Sequence, residues 1–186
     1  MRLRNSGSSY GAVSIASHWL VAIAVTGLFV SGLWMVGLTY YHSWYHRAPE
    51  LHAAIGVLAA AVVLAHLLWR RLDRVPDPEP GVRRWEVRAS ALVHALLYLG
   101  VLVTAVSGYL ITTAKGAPVE VFGLFFLPAT LHDLPGQADL AGKAHLLVAC
   151  ALIGLAGLHG LAALKHHFID RDGTLLRMLG LEPPGI

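Results

Sequence analysis

The stretch Lys143–Leu164, KAHLLVACALIGLAGLHGLAAL, decides how this chain folds. It contains no acidic residue, and it reaches the length of about 20 residues that a helix needs to cross the hydrocarbon core of a bilayer. Its two histidines, His145 and His159, are fourteen residues apart. A helix turns by about 100° per residue, so both imidazoles lie on one face, separated by roughly 21 Å of rise.

Three further apolar segments approach or exceed the same length. They are roughly Val13–Leu38, Leu51–Trp69 and Ala89–Thr112. A spanning helix satisfies its own backbone hydrogen bonds, which lipid cannot do. The composition agrees, because the chain is 56% apolar and 13% charged, against about 25% charged residues in a soluble domain. We therefore predict one all-α domain over residues 1–186, an integral membrane four-helix bundle with helices at 13–38, 51–69, 89–112 and 143–164.

The basic residues indicate the topology of this bundle. Eleven of the 14 Lys and Arg residues precede the first segment, lie in the loop 70–88, or follow the fourth segment. The exceptions are Arg47, Lys115 and Lys143. The positive-inside rule then places both termini and the loop 70–88 in the cytoplasm, and the loop 113–142 outside. Because the basic residues flank apolar segments, the net charge of +3 does not indicate nucleic-acid binding.

Two smaller features limit the choice of chemistry and of structure. Cys150 is the only cysteine, which excludes a disulfide or a cysteine-ligated iron–sulfur cluster within this chain, and no C-x-x-C-H occurs for attachment of c-type haem. The apolar stretch Val119–Leu131 is too short to span a bilayer. We expect it to lie in the membrane interface or to cover the bundle.

Histidine is unusually frequent, with 11 residues. A histidine inside a membrane helix is costly and indicates a functional site. The second apolar segment repeats the fourteen-residue spacing with His52 and His66. In the predicted topology, His52 and His145 lie near the outer surface. An inner group comprises His18, His66, His94 and His159.

Haem b suits this layout, because it takes two axial imidazoles from opposite helices. Two levels of histidines provide for two haems stacked roughly 20 Å apart. Zinc suits it less well, because zinc takes three or four ligands close together. Glycines near the histidines would admit either a macrocycle or another helix at close range; these are Gly56, Gly154, Gly157 and Gly160. The residues alone leave open which of the four inner histidines ligate iron.

Several short motifs occur in a specific order along the chain. They are Ser17-His18-Trp19-Leu20, His52 with Gly56, His94 with Tyr98, Gly157-Leu158-His159, and His166-His167-Phe168 followed by Asp172-Gly173-Thr174-Leu175-Leu176-Arg177-Met178. Together they resemble the bacterial cytochrome b561 family, four-helix cytochromes that hold two b-type haems in the bacterial inner membrane.

This resemblance implies a ligand assignment. His18 and His159 would hold the cytoplasmic haem iron, and His52 and His145 the periplasmic one. His66 departs from the family pattern, where an arginine or an apolar residue is expected. His66 and His94 therefore remain haem contacts or alternative inner ligands.

The resemblance also implies a function. Family members that act alone include superoxide oxidases, which oxidise superoxide at the periplasmic face and reduce ubiquinone. Arg47, Lys115 and Lys143 are the outer cations that would steer the superoxide anion. The alternative is an electron-transfer subunit that relays electrons from a partner dehydrogenase or hydrogenase, or another periplasmic donor, to quinone.

Overall fold

The computed structural model describes residues 2–181, and most of them are helical. The four long helices are α1 (Ala12–Met35), α2 (Arg47–Leu72), α3 (Arg84–Thr112) and α4 (Gln137–Lys165). The shorter elements are a 3-10 turn (Thr113–Lys115), strands β1 (Val119–Val121) and β2 (Phe125–Leu127), a π-helical turn (His166–Asp170) and helix α5 (Thr174–Met178). The predicted four helices are confirmed.

The predicted helix ends need correction. Helix α2 begins four residues before the predicted start, α3 five residues before it and α4 six residues before it. Helix α1 ends at Met35, three residues before its predicted end, and Gly37 follows. An apolar stretch marks only the part of a helix inside the hydrocarbon core. The helical backbone continues through charged residues at the membrane surface, such as Arg70 and Arg71 in the last turn of α2.

The surface of the long helices is suited to lipid. All four are long and apolar enough to cross a membrane, and between 6% and 17% of the residues in their most apolar stretches are buried. Large side chains such as Ile23 and Leu147 are 70% and 72% exposed. An apolar surface of this extent is unfavourable in water, and it needs no further cover in a bilayer. The chain is a multi-pass membrane protein.

The chain divides into two compact units, and each long helix contributes residues to both. The first unit comprises residues 2–21, 62–98 and 154–181. The second unit comprises residues 22–61 and 99–153. All of the candidate histidines of the inner group belong to the first unit, whereas His52 and His145 belong to the second.

In the first unit, the connector between α2 and α3 holds both ends of the described chain. The backbone N–H of Asn5 donates to Asp73 Oδ2 over 2.9 Å. Arg177 of α5 donates to the carbonyl oxygen of Asp77 over 2.8 Å, and its Nε lies 2.6 Å from Glu79 Oε1. The connector is extended, as its proline-rich sequence indicates, but these contacts with distant segments were not predicted.

In the second unit, the loop between α3 and α4 contains a β-hairpin that the sequence did not predict. Strands β1 and β2 pair antiparallel, with Val121 opposite Phe125. Phe122 and Gly123 have φ values of 52° and 69°, in the left-handed region, and the backbone N–H of Leu124 donates to the carbonyl oxygen of Val121 over 3.0 Å. Val119 and Val121 are buried, while Phe122 and Phe125 are 49% and 42% exposed. The location of this hairpin in the membrane interface stays a prediction.

Candidate functional site

In the second unit, His52 of α2 and His145 of α4 face one another. Their ring centroids are 6.1 Å apart, and the ring planes are inclined by 63°. His145 Nδ1 lies 2.9 Å from the carbonyl oxygen of Thr104 and 3.2 Å from Ser107 Oγ, both on α3. A carbonyl oxygen can only accept, so Nδ1 of His145 carries the proton and donates.

The same protonation follows for His52. Its Nδ1 lies 3.2 Å from Ser31 Oγ of α1. That hydroxyl donates its proton to the carbonyl oxygen of Leu28 over 3.0 Å, so it accepts from the imidazole. Within residues 2–181, Nε2 of each ring has no hydrogen-bond partner. An unprotonated Nε2 without a hydrogen-bond partner is free to bind a metal.

Two glycines make room for these rings. A Cβ added at Gly32 would lie 3.3 Å from His52 Cε1, and one added at Gly108 would lie 3.2 Å from His145 Cε1. Each glycine follows the serine that bonds the same ring, so α1 and α3 carry the same tripeptide, Val-Ser-Gly, at 30–32 and 106–108. These residues were not predicted from the sequence, although the repeated tripeptide was a signal for them.

In the first unit, His159 of α4 has two histidine neighbours. Its ring centroid lies 6.2 Å from that of His18, with an angle of 62° between the planes, and 5.0 Å from that of His94. All three side chains are half-buried. His94 Nδ1 lies 3.4 Å from Ser90 Oγ, whereas the rings of His18 and His159 have no hydrogen bond to any other described residue.

His66 is the fourth histidine of the inner group, and both of its nitrogens are engaged. Its Nδ1 lies 2.6 Å from Ser17 Oγ, and its Nε2 lies 3.1 Å from the hydroxyl of Tyr98. An imidazole in this state offers no free nitrogen to a metal. The hydrogen bonds therefore distinguish His66 from the group formed by His18, His94 and His159.

The glycines singled out in the sequence do not pack against neighbouring helices. A Cβ added at Gly56, Gly154, Gly157 or Gly160 would meet no atom within 4 Å beyond its own stretch of helix. The interpretation of these four as helix-packing residues is therefore not supported.

The three outer cations belong to three different elements of the second unit. Arg47 begins α2 and Lys115 ends the 3-10 turn, while Lys143 lies inside α4. All three are exposed. Lys143 precedes His145 by two residues, about 200° around the helix, and so leaves α4 on the opposite side. The second unit also carries four acidic residues against these three basic ones, namely Glu50, Glu120, Asp133 and Asp139.

A compact polar cluster follows α4 in the first unit. His166 Nδ1 lies 2.6 Å from Asp172 Oδ2, and Lys165 Nζ lies 2.7 Å from Asp170 Oδ2. Burial tends to raise the pKa of Asp172, but hydrogen bonds from Thr174 and His166 outweigh it and hold the pKa below its usual value. Asp172 Oδ1 also accepts from the N–H of Thr174 at the start of α5. The cluster fixes the turn between α4 and α5.

A cavity of about 570 Å³ lies in the second unit, between α3, the loop before α4, and the first turns of α4. Its lining is apolar except for Ser107 and Gln137. Gln137 Nε2 already donates to the carbonyl oxygens of Leu110 and Leu131, each over 3.0 Å. The cavity therefore suits a hydrocarbon chain better than a polar head group.

A family model described as prokaryotic cytochrome b561 matches residues 9–181. The chain belongs to the prokaryotic cytochrome b561 family. The resemblance drawn from the sequence is thereby confirmed. As a member of this family, the protein is a membrane electron-transfer protein that uses b-type haem.

Curated relatives of this cytochrome cover nearly its whole length. It is 48% identical over 180 residues to cytochrome b561 homolog 2 of Escherichia coli (strain K12), which covers 97% of this chain and 96% of that protein. It is 31% identical over 173 residues to the probable superoxide oxidase CybB of Yersinia pestis, covering 91% of this chain and 95% of that protein. It is 26% identical over 174 residues to cytochrome b561 homolog 1 of E. coli (strain K12), with 91% and 96% covered.

Proposed function

We propose that this cytochrome holds two b-type haems and transfers electrons between the periplasmic face of the bacterial inner membrane and the quinone pool. The observation that carries the proposal is the spacing of two histidine pairs. The ring centroids are 6.1 Å apart for His52 and His145 and 6.2 Å apart for His18 and His159. Two imidazoles on opposite sides of one metal, each with a metal–nitrogen bond of about 2.0–2.1 Å, have centroids about 6.3 Å apart.

The same spacing favours His18 over the other inner histidines. The centroids of His94 and His159 are 5.0 Å apart, more than 1 Å too close for a shared metal at about 2.0–2.1 Å from each nitrogen. His66 has both nitrogens hydrogen-bonded. We assign His18 and His159 as the second ligand pair and His94 as a contact beside it.

Haem b held between two of these histidines would supply one-electron transfer. The protein supplies the ligands and their orientation. Thr104 and Ser107 hold the proton of His145 on Nδ1, and Ser31 does the same for His52. Such partners fix the ring direction and raise the basicity of the ligating nitrogen.

The variant Gly108→Ala tests this support. Its methyl group would lie 3.2 Å from His145 Cε1, so the ring must move by a few tenths of an ångström. Ser107→Ala removes the hydroxyl that bonds the same ring. Losing such a partner reduces metal affinity by about 10- to 100-fold. We expect apomyoglobin to extract one of the two haems faster from Gly108→Ala and from Ser107→Ala than from wild type. Gly142→Ala is the control and should behave like wild type, because a Cβ added there meets no atom within 4 Å. Equal rates in all variants would contradict the assigned role.

The proposed orientation rests on charge. Eleven of the 14 basic residues belong to the first unit, and three belong to the second. The positive-inside rule therefore supports a cytoplasmic first unit with both termini. In this orientation His18 and His159 serve the cytoplasmic haem, and His52 and His145 the periplasmic one.

Superoxide is the first electron donor to test, with ubiquinone as the acceptor. The support is the 31% identity to a protein named as a probable superoxide oxidase. The charges of the second unit favour a second candidate, a partner dehydrogenase, hydrogenase or other periplasmic protein as the donor. Three basic residues against four acidic ones do not attract an anion over distance.

One experiment separates these donors. The oxidised protein is mixed anaerobically with a pulse of superoxide while the haem α-band is followed, with dithionite as a control and ubiquinone added afterwards. Fast reduction followed by reoxidation by ubiquinone would support a superoxide:ubiquinone oxidoreductase. We expect any such reduction to change little with added salt, because steering of an anion would require a basic face. A band that only dithionite reduces would support the partner donor, and absence of a haem band would contradict both.

A further inference from the structure

His66 connects three helices of the first unit through a chain of hydrogen bonds. It belongs to α2, and its partners are Ser17 of α1 at 2.6 Å and Tyr98 of α3 at 3.1 Å. All three side chains are half-buried. A polar group among membrane helices is costly unless it is hydrogen-bonded, and here each nitrogen of the ring has a partner. Neither the ligand assignment nor the proposed electron donor explains why this chain carries a histidine at this position.

The contacts of Ser17 with its own helix favour one direction for these hydrogen bonds. Its hydroxyl lies 2.7 Å from the carbonyl oxygen of Val13 and donates to it. The hydroxyl oxygen therefore accepts the Nδ1 proton of His66. Nε2 of His66 is then unprotonated and accepts from the hydroxyl of Tyr98. This arrangement gives both nitrogens of His66 a partner and links α1, α2 and α3.

Ser17 immediately precedes His18, so the link acts next to an assigned ligand. Successive side chains on a helix point about 100° apart. With Ser17 held towards His66, the rotation of α1 about its axis is set, and the next side chain reaches His159 with a centroid distance of 6.2 Å. A small rotation of α1 would move the ring of His18 and change its angle to the ring of His159.

We propose that His66 is a positioning residue for the haem held by His18 and His159, and that it acts through Ser17 on the rotation of α1. The inference rests on the proposed ligands. Loss of the link should change the orientation of one axial imidazole without removing it. The ferric low-spin EPR signal and the midpoint potential of a bis-imidazole haem respond to the orientation and hydrogen bonding of its ligands.

The test compares purified wild type with His66→Ala, Tyr98→Phe and Ser17→Ala. Haem content, a redox titration of the α-band and the ferric EPR spectrum are measured for each. His66→Gln is the conservative rescue, because its amide can donate to Ser17 and accept from Tyr98. Thr26→Ala is the matched control on α1, since that hydroxyl bonds only the carbonyl oxygen of Ala22 in its own helix.

We expect all three variants of the link to shift the potential and EPR signal of one haem and to leave the other haem unchanged. His66→Gln should return both signals towards wild type. Should His66→Ala not fold, Tyr98→Phe and Ser17→Ala each remove a single oxygen and carry the same test. Unchanged signals in the link variants would overturn the inference. So would complete loss of one haem in His66→Ala with no shift in the other two, because His66 would then be a ligand. Wild type with fewer than two haems would instead refute the proposed function.

Discussion

His159→Ala should leave a protein with one haem in place of two, and the remaining haem should keep its wild-type potential. The assigned partner, His18, cannot hold iron with two imidazoles once the opposite ring is lost, and both nitrogens of His66 are already hydrogen-bonded. His18→Ala should give the same spectrum, since it breaks the same pair. The measurement is haem b per chain by the pyridine haemochrome assay, together with a redox titration.

The second histidine pair provides the complementary result. His52→Ala and His145→Ala should each lose the haem that His159→Ala retains, so the two classes of variant have different remaining potentials. His46→Ala is the control, because that side chain is exposed in the loop before α2 and should leave two haems. Retention of both haems in His18→Ala or His159→Ala, with loss of one in His66→Ala or His94→Ala, would show that the inner assignment is wrong.

Arg177→Ala should destabilise the protein strongly without changing its haem ligands. The side chains of Arg177 and Glu79 are only 12% and 11% exposed, with Nε and Oε1 2.6 Å apart. Neither atom has an aligned hydrogen-bond partner, so the contact is mainly Coulombic. Removing one member of a buried ion pair leaves the other charge uncompensated, which costs about 3–5 kcal/mol. For a chain of this size, even 3 kcal/mol lowers Tm by roughly 6–12 °C.

The measurement is thermal unfolding in detergent, with trypsin cleavage of the connector as a local readout. Replacing both partners, as in Glu79→Gln with Arg177→Met, should restore part of the lost Tm, because no buried charge is then left unpaired. Arg88→Ala is the matched control, since Arg88 is exposed. A Tm for Arg177→Ala equal to that of Arg88→Ala would contradict the proposed role of the pair.

The sequence was sufficient for the helices and for the grouping of the histidines. Length and hydropathy predict a spanning helix directly. The fourteen-residue spacing of His52 with His66, and of His145 with His159, places each pair on one face of its helix. The two-unit division of the structure keeps the same groups together. What the sequence could not decide was which ring of the inner group faces which, because that depends on the rotation of each helix.

The role of the supporting residues could not be predicted from their residue type alone. Ser31 and Gly108 are of types common in membrane helices, and their role exists only through contact with a ring on another helix. The side of α4 that carries Lys143 could have been read from the helical repeat, since two residues place it away from His145. The β-hairpin was missed because its strands are only three residues long and lie in a stretch that is apolar throughout.

The most direct test of the central claim is the number of haems that one chain holds. Purified wild-type protein should contain two haem b per chain, and its α-band should titrate as two one-electron steps at different potentials. The result follows from two histidine pairs that each match the spacing of a bis-imidazole site. A single haem per chain, or none, would contradict the account.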